Sequence, residues 1–182
     1  MIFISAGHNP KGIKIDPGAV GNGFKEADIA VEFRNLVARE LSKLGAKFIT
    51  DKDDERLADY LKRIQTGPGS VVIEFHCDSA ASSSASGTTG LVGDDADRLD
   101  LAFMKEINDT FSSVLQLPNR GVRKESESHR GRLGLMREQG IVGLQEMFFI
   151  SNKKDIEVYQ SKKQILAPLI ANIIVKYEKI IP

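Results

Sequence analysis

The chain has 182 residues, 41% hydrophobic and 27% charged, which is the balance of one globular domain spanning residues 1–182. Its 25 Lys and Arg offset its 25 Asp and Glu, so no basic excess points to nucleic acid, and no apolar run approaches the roughly 18 residues of a membrane span. A single cysteine, Cys77, excludes an internal disulfide framework. With no basic-then-apolar leader at the start, the chain is expected to stay in the cytoplasm unless another agent releases it.

In chain order, residues 2–5 (IFIS) read as a short buried strand, followed by a long glycine-rich loop that carries His8. Loops of about 15 residues or more are uncommon in compact domains unless they have a job. Residues 26–44 place Ile29, Phe33, Leu36, Val37, Leu41 and Leu44 at helical spacing, with Gly45 as the stop. A second strand (46–50), a helix (54–66) and a third, strongly apolar strand (70–75) follow. The serine-rich stretch 80–87 reads as a flexible surface loop and 88–93 as a weak strand. Residues 95–115 form a helix; 118–132 are charged and turn-rich without a period; 132–137 and 141–149 read as strand segments. A helix over 161–178 closes the chain, with Pro168 expected to kink or interrupt it.

Strands that alternate with helices predict an α/β fold: one twisted, mostly parallel or mixed sheet with helices on both faces. Ligands of such sheets bind beyond the carboxyl ends of the strands. His8 follows the first strand, His76 follows the third, Glu146 lies in the last, and Glu26 heads the helix leaving the opening loop. Two imidazoles and a carboxylate with an open fourth position form a ligand set for catalytic zinc. A carboxylate beside it, for which Glu146 is the candidate, would serve as general base and then general acid. Position alone leaves other readings open. Lone post-strand histidines are more often structural or exposed. Glu26 also suits a helix N-terminus, and Asp16 and Asp28 compete with it as ligands. Strand alternation sends Cys77 to the face opposite His76, which favours a buried inert thiol.

The motifs reach further. "SAGHNP", "DPGAVGNG", "KEADIA", "VVIEFHCDSA", "NRGVRK", "RLGLMR" and "GLQEMFFISNKKD" occur in an order, over roughly residues 2–178, that resembles the zinc-dependent N-acetylmuramoyl-L-alanine amidases of the amidase-3 type. The resemblance implies a phosphorylase/hydrolase-like sheet, one Zn²⁺ per chain held by His8, Glu26 and His76, and Glu146 as the catalytic carboxylate. It implies hydrolysis of the amide between the lactyl group of N-acetylmuramic acid and the L-alanine of the stem peptide. The implied substrate is peptidoglycan or a muropeptide, with no nucleic-acid or membrane partner, and a monomer is favoured. A lysis enzyme of phage type, held in the cytoplasm until the membrane opens, would fit, with no separate wall-binding domain.

The chain departs from the family in "NPKGIKI" after His8, in Asp78 where Asn is usual, and in Met147 beside Glu146. Asp78, His129 and Arg132 are candidates for meeting substrate. Arg120, Arg123 and Arg130 share the same basic segment with a solvated-loop reading. The rivals are a related zinc peptidase, carboxypeptidase-like in action, and a non-catalytic wall-binding module on the same fold.

Overall fold

The computed structural model describes residues 1–128 and 131–180. The strands are β1 (Ile2–Ala6), the short pair β2 (Val20–Gly21) and β3 (Phe24–Lys25), β4 (Phe48–Thr50), β5 (Val71–Asp78), β6 (Thr88–Val92), β7 (Asn119–Lys124) and β8 (Ile141–Phe149). The helices are α1 (Glu26–Lys43), α2 (Leu57–Arg63), α3 (Arg98–Leu115) and α4 (Lys153–Ile180). Six strands form one sheet in the order β4-β1-β5-β8-β6-β7, and β2 pairs with β3 apart from it. β4, β1, β5 and β8 run parallel; β6 and β7, parallel to each other, run antiparallel to β8. This is the mixed α/β sheet that the alternation of elements predicts.

The two faces of the sheet are covered unequally. Alternate residues of β5 point opposite ways. Val71, Ile73, Phe75 and Cys77 join the core built by α1, α3 and α4, so Cys77 is a core residue as alternation requires. Val72 joins a smaller cluster in which Tyr60 and Ile64, from α2 and its end, pack with Leu135 and Met136 on Phe3, Leu91, Val142 and Leu144. α1 is bound by the stripe Ile29, Phe33, Val37 and Leu41, all at most 2% exposed. Each such side chain contributes about 1.5–3 kcal/mol by leaving water. Phe33 meets Phe75 edge to face with ring centres 5.0 Å apart, which locks α1 over β5. On the thinly covered face the last turns of β5 and β8 carry Glu74, His76 and Glu146 in place of apolar residues.

Three expectations need correction. The segment 118–132 contains β7, an edge strand whose residues are half-buried or exposed and largely charged, so no apolar alternation marks it. The strand expected over 132–137 is a 3-10 turn, Gly134–Arg137, that buries the consecutive residues Leu135 and Met136, a pattern that strand alternation does not give. The last helix starts at Lys153, and Pro168 lies within it without ending it. Asn152 caps its start, its side-chain oxygen accepting from the N–H of Lys154 at 2.9 Å and of Asp155 at 3.4 Å. Gln164, whose carbonyl loses the proline's hydrogen bond, is exposed, so water can replace that bond.

From β1 the chain crosses outward to β4, then returns past β1 to β5. The connections thus diverge at the carboxyl ends of β1 and β5, which opens a crevice at that point of the sheet.

Candidate metal centre and active site

The loop after β1 is held by specific contacts. Buried Asn9 donates from Nδ2 to the carbonyls of Lys11 and Lys14, both at 2.8 Å, and the Asp16 N–H reaches the Asn9 carbonyl at 3.1 Å. The bulge between these contacts turns Ile13 and Ile15 out into solvent. Asp16 then accepts from the Gly18 N–H at 3.1 Å, an Asx turn that sets "DPGA". Gly18 has φ +63°, and a Cβ there would sit 2.6 Å from Glu26 Oε2 and from His8 Cδ2, so the turn needs glycine. Asn22 and Gly23, at φ 53° and 84°, make the tight turn between β2 and β3 and deliver the chain to Glu26 at the head of α1.

The loop thereby brings His8 and Glu26 to His76. Glu26 is 1% exposed. Its Oε1 accepts from the Cys77 N–H at 3.1 Å and lies 2.8 Å from His76 Nδ1 and 3.2 Å from His8 Nε2. Its Oε2 accepts from the Ala19 N–H at 2.8 Å. Each imidazole has a second carboxylate behind it: Asp16 Oδ2 is 2.9 Å from His8 Nδ1, and Glu74 Oε1 is 2.9 Å from His76 Nε2. The two rings meet edge to face, 5.0 Å between centres. Gly7 makes this approach possible, since a Cβ on it would fall 1.8 Å from His76 Cε1.

The electrostatics follow from this crowding. Burial works against charge on the His76 ring, but the hydrogen bonds to Glu26 and Glu74 outweigh it and push its pKa up to about 10. Burial likewise opposes a charged His8, and its contact with Glu26 more than compensates. Burial would raise the Glu26 carboxyl, yet the two histidines hold it far below the usual carboxylate range.

One donor atom each from His8, Glu26 and His76 lie within 4.8 Å of one another. His8 Nε2 is buried and, among the described residues, has no hydrogen-bond partner, although it lies 3.2 Å from Glu26 Oε1. Two ring nitrogens and a carboxylate oxygen this close together, each ring backed by a carboxylate, fit zinc and its habitual surroundings. Of the competing ligands, Asp28 is exposed on α1, and Asp16 touches the far nitrogen of His8.

Glu146 is 5% exposed. It stands directly across from His76 in the β5–β8 pairing and across from Thr89 in the β6–β8 pairing. Adjacent strands lie about 4.8 Å apart, so its carboxylate is the group next to the metal cluster on that face. It opens onto a cleft of about 360 Å³ lined by Asp78, Thr89, Arg120, Arg123, Ser128 and Phe149 among others.

Asp78 lines that cleft and accepts from the Ser79 N–H at 2.8 Å. Arg132 is exposed, beside Asp94, and does not line the cleft. His129 and Arg130 lie outside the described residues. Arg120 and Arg123 are the arginines the cleft does receive. Opposite Thr89, β7 carries two residues, Arg120 and Gly121, where a regular ladder has one. This bulge lets both arginines, three apart in sequence, face the same side. Arg120 also lies over the Phe149 ring, 5.0 Å from its centre. Glu74 escapes a sequence reading that takes 70–75 as uniformly apolar, although its place two residues before His76 puts both on one face.

The family model described as N-acetylmuramoyl-L-alanine amidase matches residues 2–176. In solved structures, the fold superposes on the provisional N-acetylmuramoyl-L-alanine amidase of Neisseria meningitidis with a TM-score of 0.77, at 29% identity over 96% of this chain and 93% of that one. It is similar in fold to the N-acetylmuramoyl-L-alanine amidase AmiC2 of Nostoc punctiforme, with a TM-score of 0.76, 21% identity, and coverage of 98% and 96%. The YqiI protein of Bacillus subtilis is 27% identical over 169 residues, 88% of this chain and 78% of YqiI. With its fold, its cluster of donors and a family match over nearly its whole length, the chain belongs to the N-acetylmuramoyl-L-alanine amidase family and is an amidohydrolase.

Proposed function

We propose that this amidohydrolase is zinc-dependent, with one zinc per chain held by His8, Glu26 and His76, and that Glu146 is its acid–base catalyst. The bond cut is the amide joining the lactyl group of N-acetylmuramic acid to the L-alanine of the stem peptide. The convergence of His8, Glu26 and His76 donors within 4.8 Å, with Glu146 directly across from His76, carries this reading. Zinc in that position supplies Lewis-acid polarisation of a carbonyl and lowers the pKa of water to about 7. The chain's own residues do the rest. Glu146 takes a proton from the attacking water as the carbon–oxygen bond forms. It returns that proton to the nitrogen as the carbon–nitrogen bond breaks, leaving a lactyl carboxylic acid and a free L-alanine amine.

The cleft beyond Glu146 would take the stem peptide. Arg120 and Arg123 offer guanidinium groups there for its carboxylates, while Asp78 and Glu127 line the same cleft with opposite charge. Asp78 is thus kept as a candidate for substrate contact, and the roles expected of Arg132 pass to Arg120 and Arg123. Arg123→Ala is expected to raise KM for muropeptides bearing free carboxylates about fivefold, near 1 kcal/mol for an exposed pair, with kcat little changed. Steady-state kinetics on muropeptides with free and with amidated carboxylates checks this, since the amidated substrate should not respond. The whole proposal is tested by the products made from purified peptidoglycan, with and without a chelator.

A further inference from the structure

Glu74 is a buried carboxylate that the hydrolysis described above does not use. It is 1% exposed and lies inside the sheet on β5. A charge there is costly unless it is held by hydrogen bonds or an opposite charge. Its two oxygens are both engaged: Oε1 with His76 Nε2 at 2.9 Å, and Oε2 with the hydroxyl of Ser5, which donates at 3.1 Å. Ser5 is itself buried, at 1% exposure, and stands directly across from Glu74 in the β1–β5 pairing. The carboxylate is therefore fixed from β1 while it faces the ring of a candidate ligand two residues along its own strand. Among the described residues Arg34 is a buried cation, and it is paired with Asp51 at 2.7 Å and Asp53 at 2.5 Å.

We infer that Glu74 is the positioning residue of the metal centre, an outer carboxylate that holds the Nε2–H of His76 so that Nδ1 points at the metal position. The inference rests on the metal-centre reading above. Both His76 nitrogens face carboxylates, Nδ1 that of Glu26 and Nε2 that of Glu74. With a metal taking Glu26 and the Nδ1 lone pair, Glu74, which as a carboxylate can only accept, would keep the ring proton on Nε2. His8 is arranged in the opposite sense, with Asp16 behind Nδ1 and Nε2 toward the centre. The two histidines thus present different nitrogens, and each needs its own carboxylate to select the tautomer. The Glu74 charge also makes the His76 ring a stronger donor and adds an attractive negative charge near the cation. Its contribution exceeds that of Asp16, because Asp16 is 59% exposed and solvent screens it, whereas Glu74 acts through a dry interior.

The test compares zinc affinity, by competition with a chromophoric chelator, in the parent protein, Glu74→Gln, Glu74→Leu and Asp16→Asn. Visible spectra of the cobalt(II) forms and urea unfolding of the metal-free proteins are measured alongside. Glu74→Gln keeps an acceptor for His76 and is expected to bind zinc about tenfold more weakly; Glu74→Leu loses tautomer control and approaches the 100-fold end of the range for outer-shell partners. The cobalt bands shift in both, and Asp16→Asn changes less than either. The loss of zinc affinity in Glu74→Gln exceeds any fall in its metal-free urea stability that comes from losing the charged contact between Glu74 and His76. Unchanged zinc affinity and cobalt spectra in both Glu74 variants would overturn the inference alone. So would a weakening that only tracks a loss of metal-free stability. Failure of the parent protein to take up zinc would overturn the metal-centre reading with it.

Discussion

Glu146→Gln is expected to lower kcat by about 10²–10⁴-fold, the usual reach of general acid–base catalysis, while zinc content stays at the parent value. Gln has the same shape and keeps the polar end, so β8 should fold as before; Glu146 lies in the interior of the sheet, between β5 and β6. What Gln cannot do is accept a proton from water and return it to the leaving amine. The loss should therefore appear in kcat and kcat/KM together, with substrate binding largely kept. Metal analysis of the purified variant separates this from damage to the donors, because Glu146 is the neighbour of His76 and not one of the three proposed ligands. Parent-level activity in this variant would remove Glu146 from the chemistry.

Gly7→Ala is expected to be at least as damaging, by a different route. The Gly7 N–H donates to the Phe75 carbonyl at 3.0 Å, which fixes it against β5 beside His76. An added methyl would lie 1.8 Å from His76 Cε1 and 2.0 Å from Nε2, where no contact is tolerated. The ring has no easy escape, since Glu26 and Glu74 hold its two nitrogens at 2.8 and 2.9 Å. Either the ring leaves the centre or β1 separates from β5. Overpacking of this kind costs about 1–3 kcal/mol, which for a chain of this size lowers Tm by several degrees. The sharper consequence is local: zinc affinity should fall at least about 100-fold, beyond the loss from one outer-shell partner, and activity with it. Calorimetry of the metal-free and zinc-loaded forms checks both. A variant whose Tm rises on zinc addition as much as the parent's would contradict the packing described here.

The parts legible in the sequence are those where burial imposes a simple pattern. β1, β5 and β8 begin as apolar runs because helices or a second cluster cover both faces there, and the stripe of α1 is regular because one side of it lies on the sheet. β7 was not legible: an exposed edge strand needs no apolar alternation, and its charges suit an edge that must not recruit another chain. The start of α4 was hidden by a run of lysines and acids that leaves only Ile156 and Tyr159 to mark the buried side. At the site, strand ends and the family resemblance pointed to His8, Glu26, His76 and Glu146, and the fold brings these four together. The supporting groups depend on geometry that spacing does not encode. Glu74 became visible as a partner only once His76 was placed. The bulge opposite Thr89, where Gly121 takes φ 82°, lets both Arg120 and Arg123 face the cleft.

The most direct measurement of the central claim is the structure of the products released from purified peptidoglycan. Mass spectrometry of the digest should show glycan strands ending their lactyl groups in free carboxylates, and intact stem peptides with a free L-alanine amino terminus. Both should disappear when the enzyme is stripped with a chelator and return when about one equivalent of zinc is added. Peptides cleaved within the stem while still attached to the glycan would contradict the account, as would the same products formed at full rate by the metal-free protein.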